Sequence, residues 1–176
     1  MKTNWLQRGF VGLALLAFGL RAWADTGATW QTFADSKGRF SILMPGQPEY
    51  KVSETPAKDG SVLVHTDMYL VNVSEALYVA GATTYYSDIN AEKELAAGRD
   101  NFDQAVGAQV TSQQRLKFQD YPALEFKSFN AQAKCYFSSL SVVVGNHSYM
   151  VVARYYTANE PANVTRFFQS YKLLSP

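Results

Sequence analysis

The sequence predicts an α+β domain: a mainly antiparallel β-sheet of about six strands flanked by helices, an α/β/α sandwich. Three observations carry that expectation. Runs that alternate apolar with polar residues, or are dense in Val, Tyr and Phe, recur along the chain and read as strands. The links between them are short and rich in Gly, Asn and Asp, which favours antiparallel hairpins. Two segments change to a helical period, and helices so placed can cover a sheet.

In chain order, Thr29-Trp30-Gln31-Thr32-Phe33 alternates as a strand does, and Asp35-Ser36-Lys37-Gly38 is a polar break. Phe40-Ser41-Ile42-Leu43-Met44 is a short strand that ends in the Pro45-Gly46-Gln47-Pro48 loop, where neither proline can donate to a ladder. Asp59-Gly60 marks a hairpin turn. Residues 61–73 and 77–86 are long strands, with Val62, Val64, Met68 and Leu70 sharing a face in the first. Asn90 caps a helix expected from Ala91 to Val106, with Leu95, Phe102 and Val106 on one stripe. Residues 109–118 form a strand, and Asp120-Tyr121-Pro122 a turn. Residues 123–130, 134–144 and 148–156 are three more strands, the last two joined by a turn at Gly145-Asn146-His147. Asn159-Glu160-Pro161 opens a second helix whose Val164, Phe167, Phe168 and Tyr171 make an aromatic stripe suited to a core.

Residues 1–24 read as a cleaved signal peptide. Lys2 and Arg8 supply the positive start, an apolar run covers residues 9–20, and Ala22 and Ala24 are the small residues that place cleavage between Ala24 and Asp25. That apolar run falls short of the ~20 residues needed to span a bilayer. Residues 25–176 are then one domain, periplasmic or secreted, without an integral membrane segment in the mature chain. Three of the 16 basic residues lie in the signal and no acid does, which leaves 13 basic against 15 acidic residues. A weakly acidic domain has no electrostatic attraction for nucleic acid. The single cysteine, Cys135, excludes an intramolecular disulfide and reads as a buried, inert thiol.

Four stretches resemble the PsbP-like family, which includes the extrinsic photosystem subunit, a nuclear Ran-binding branch and bacterial DcrB-type envelope proteins. They are Gly38-Arg39-Phe40-Ser41-Ile42 with Pro45-Gly46-Gln47-Pro48, Tyr121-Pro122-Ala123-Leu124-Glu125-Phe126, Gly145-Asn146-His147-Ser148-Tyr149, and Arg166-Phe167-Phe168-Gln169-Ser170-Tyr171. The resemblance implies a central antiparallel sheet flanked by helices and a non-catalytic accessory role exercised by docking. It brings no shared active site with it.

Catalytic and metal-binding motifs are not seen. The two histidines, His65 and His147, lie on separate strands or turns, and no zinc-ligand spacing, Gly-x-Ser-x-Gly or phosphate-cradling loop occurs. Glu92, Glu94, Asp100 and Asp103 share one helix, where acids are ordinarily solvated. The pairs Tyr85-Tyr86 and Tyr155-Tyr156 should each put one ring inside and one outside, because neighbours on a strand point to opposite faces. Outward tyrosines suit a binding surface. No catalytic, cofactor-binding or metal-ligating residue is assigned, and no cofactor is expected. The expected role is an exported accessory or binding protein, without enzymatic activity, that docks to an envelope or periplasmic protein or holds a small apolar ligand. A hydrolase using His65 or His147 beside a carboxylate, and a structural component of an envelope complex, remain as alternatives.

Overall fold

The computed structural model describes residues 29–174. The expected signal peptide and its cleavage point lie outside the described residues. The order is β1 (Trp30–Ala34), β2 (Phe40–Pro45), β3 (Glu49–Pro56), β4 (Val62–Asn72), β5 (Ala76–Tyr85), α1 (Ala91–Val106), β6 (Gln109–Phe118), β7 (Tyr121–Asn130), β8 (Cys135–Val144), β9 (His147–Tyr155), α2 (Ala162–Gln169) and β10 (Lys172–Leu173). The fold is α+β and every strand pairing is antiparallel, as the sequence predicts.

The strands form a seven-stranded sheet in the order β3-β4-β5-β9-β8-β7-β6 and a three-stranded sheet in the order β1-β2-β10. One face of the large sheet is covered by α1, over a core that includes Leu95, Phe102, Phe126, Phe137, Met150 and Val152. The other face is covered by the small sheet and α2, over a core built on Phe40, Ile42, Tyr78, Tyr149, Val151 and Phe167. The second cover is thus a sheet with a helix, where a helical layer alone was expected. Because both faces are buried, the central β5, β8 and β9 are apolar or small almost throughout.

Several boundaries differ from the sequence expectation for local reasons. β3 is an edge strand with one neighbour, so only Tyr50 and Val52 give it an apolar pattern. It ends in a register shift at Thr55/Pro56, a device that blunts a free edge. β10 is two residues long and exists only through its pairing with β2. The turn before β7 falls on Gln119 and Asp120, both at positive φ (47° and 71°), while Tyr121 and Pro122 already belong to the strand.

The helix α1 matches its expectation at both ends. The Asn90 side chain accepts from the Lys93 backbone N–H at 3.0 Å, and Gly107 closes the helix at φ 63°, a left-handed conformation that glycine adopts without strain. In α2, Val164 and Phe167 are buried, Phe168 is half-buried at the rim, and Tyr171 joins the core just past the helix end.

Candidate functional site

The β1–β2 turn folds over β4 and sets a charged network into the edge of the large sheet. Asp35, its first residue, accepts from the Arg39 backbone N–H at 2.6 Å and from Arg39 Nε at 2.7 Å. Gly38, at φ 68°, lets the turn close tightly enough for both contacts. Across on β4, Asp67 lies with its side chain 1% exposed and collects four donors. They are Lys37 Nζ at 2.7 Å, Arg39 Nη2 at 2.8 Å, Tyr50 Oη at 2.6 Å and His65 Nε2 at 3.0 Å. Burial by itself would push the Asp67 carboxyl up. Hydrogen bonds from Lys37, Tyr50, His65 and Arg39 outweigh it and hold the group well below the usual carboxylate range. The bond to Asp67, with burial, pushes the Tyr50 phenol up to about 12.

The two histidines stand on the same face of the sheet. Strand register aligns Glu54, His65, Thr84 and His147 in one row across β3, β4, β5 and β9, with neighbouring strands ~4.8 Å apart. His65 Nδ1 lies 2.9 Å from Glu54 and its Nε2 3.0 Å from Asp67, so carboxylates hold both ring nitrogens. His147 Nδ1 lies 3.2 Å from Thr84 Oγ1. Burial, and then the Arg39 charge, lower its pKa and favour the neutral ring. No group of three or more His, Cys, Asp or Glu side chains among the described residues could hold a metal ion.

Around this network four large apolar side chains are exposed: Tyr50, Val52, Leu63 and Tyr86. Tyr50 and Val52 lie opposite Tyr69 and Asp67, and Leu63 shares the parity of His65. Tyr86 is fixed beside Leu63 by its backbone N–H donating to the Leu63 carbonyl at 3.1 Å. The corner therefore offers apolar contact area around charges that are already satisfied within the protein.

The other candidates fall elsewhere. Cys135 is buried on the α1 side, and burial pushes its thiol up against a smaller opposing effect of Arg154, so the reactive thiolate is disfavoured. Tyr85 and Tyr155 are each 3% exposed while Tyr86 and Tyr156 are 63% and 51% exposed, so both pairs divide between core and surface. The four acids of α1 do not behave alike. Glu92 pairs with Arg115 and Asp100 with Arg99 at the surface, but Glu94 takes the Tyr85 hydroxyl as donor and Asp103 is buried. The expectation of four solvated acids is corrected for those two. The sequence reading missed the Asp67 network, whose members lie on three separate elements; an acid amid β4's apolar run was the available signal.

No family model matches the chain, and no curated protein matches its sequence. Among solved structures it is similar to the solution structure of cyanobacterial PsbP (CyanoP) from Synechocystis. The TM-score is 0.51 at 11% identity, over 88% of this chain and 98% of that one. A crystal structure from Bacteroides thetaiotaomicron aligns with a TM-score of 0.40 at 13% identity, over 81% of this chain and 47% of that one. The likeness to CyanoP shows a PsbP-like fold.

Proposed function

We propose that this chain is an exported, non-catalytic accessory protein of the periplasm or cell exterior, and that it docks to an envelope protein through the corner around Asp67. The carrying observation is that Tyr50, Val52, Leu63 and Tyr86 stand exposed together there. Grouped apolar side chains left in water favour association, and tyrosine is a frequent anchor of binding energy. The Asp67 network holds the corner rigid, which limits the entropy lost on docking. The PsbP-like fold supports an accessory role, and the signal-like residues 1–24 support export.

The test is complementation of a deletion strain by the double variant Leu63→Glu, Tyr86→Glu. Lost function and lost cross-linking to an envelope protein, at normal abundance and melting temperature, are expected. Full function would refute the docking corner. His147→Ala addresses the enzymatic alternative: it should leave function intact, and its loss at normal abundance would overturn the non-catalytic reading. N-terminal sequencing of the exported chain should begin at Asp25.

A further inference from the structure

Helix α1 covers β7 and β8, and its buried face carries a carboxylate without an ion-pair partner. Phe102 anchors the helix edge-on against Phe126 and Phe137, with ring centroids 5.9 and 5.4 Å away. The next residue, Asp103, is 7% exposed, and neither of its carboxylate oxygens has a hydrogen-bond partner. Ser128 of β7 is near enough to favour its charge, yet makes no hydrogen bond of ordinary geometry to it, and the Ser128 hydroxyl is itself unpartnered. Ser139 and Ser141, which share that sheet face, are buried with unpartnered hydroxyls as well.

No neighbouring element supplies a cation that pairs with it. On α1 itself the Arg99 guanidinium is bonded to Asp100 and Gln113; its charge favours the Asp103 carboxylate without contacting it, and Asp100 adds a repelling charge. On β6, Arg115 is paired with Glu92. On β7, Glu125 and Lys127 face the other side of the sheet, where Lys127 pairs with Glu160. On β8 the titratable group of this face is the Cys135 thiol, and on β9 the Arg154 guanidinium sits 5.7 Å from the Tyr156 ring. Glu94 at the start of α1 shows the alternative provision, since the Tyr85 hydroxyl of β5 donates to it.

We propose that α1 is a proton-dependent cover: it stays closed while Asp103 holds a proton that it can donate to Ser128, and opens more often once that proton is lost to solvent, uncovering the apolar face of β7 and β8. The sign follows from burial, which pushes the Asp103 carboxyl up. Its contribution to closure is complete below the ordinary Asp value, ~3.9, and is lost as pH rises through the raised one.

Amide hydrogen exchange across α1, expressed as protection factors from pH 4 to 7, tests this in the wild type, Asp103→Asn and Glu94→Gln. Wild-type opening should rise with pH, by at most about tenfold per unit, before levelling off, while central β5 and β9 hold their protection. Asp103→Asn should abolish the component that Glu94→Gln retains. An unchanged pH response in Asp103→Asn, or none in the wild type, overturns the proposal. If Asp103→Asn does not fold, a carbon-13 titration of the Asp103 carboxyl in the wild type decides: a midpoint at or below the ordinary Asp value refutes it, and a clearly higher one supports it.

Discussion

Asp67 and Asp103 are both carboxylates withdrawn from water, one on each side of the large sheet, and the protein provides for them in opposite ways. Asp67 faces the small sheet and receives four donors, two of them formally cationic. Asp103 faces the other way, on the α1 side, with neither oxygen hydrogen-bonded and the nearby Ser128 hydroxyl unpartnered as well. Burial pushes both carboxyls up, and at Asp67 the donors reverse the effect. The sign of a buried acid's contribution is therefore decided by its partners, and the depth of burial sets only what those partners must overcome.

The largest test of that contrast is Asp67→Ala. It would leave Arg39 buried with Asp35 as its remaining ion partner, and removing one member of such a set typically costs about 3–5 kcal/mol. A denaturant melt that shifts by less than about 1 kcal/mol would mean the network is worth no more than a surface pair. Asp103→Asn should move stability the other way. Replacing a buried charge that lacks partners should raise stability at pH 7 by about 1–3 kcal/mol, measured in the same melts, and a loss of stability would contradict the account.

The two carboxylates should also separate by pH. The Asp67 contribution is present above the ordinary Asp value and is lost as pH falls below it, because the folded-state value is depressed. The Asp103 contribution runs the other way, present at low pH and lost as pH rises. Melts of Asp103→Asn from pH 3 to 8 should therefore show a smaller decline toward neutrality than the wild type, the part due to Glu94 remaining, while keeping the acid-side decline. The smallest effect comes from the α1 cap. Asn90→Ala should cost about 1 kcal/mol, because the Lys93 N–H loses its acceptor. It should lower α1 protection equally at all pH values, which separates loss of a cap from loss of a proton.

Much of the architecture was legible in the sequence because it is local. Asn90 and Gly107 bound α1 by their own conformational preferences. The tyrosine pairs divided between faces because strand side chains alternate, whatever lies across from them. The fates of the α1 acids were not legible. Glu94 and Asp103 each sit one residue from a stripe position, at the margin where a helix passes from buried to exposed. What lies across from that margin decides the outcome: Tyr85 from β5 and Ser128 from β7 approach them, whereas Arg115 meets Glu92 in the open.

The sequence by itself determined which segments could be strands or helices, where α1 begins and ends, and that each tyrosine pair splits between core and surface, because caps, turns and side-chain periodicity act over a few residues. The tertiary structure alone decided that β3 and β10 are strands, and that Lys37, Arg39, Tyr50 and His65 converge on Asp67 while Asp103 is left without a donor. Strand pairing and the solvation of a charge depend on atoms brought together from distant parts of the chain, and local pattern carries no record of them.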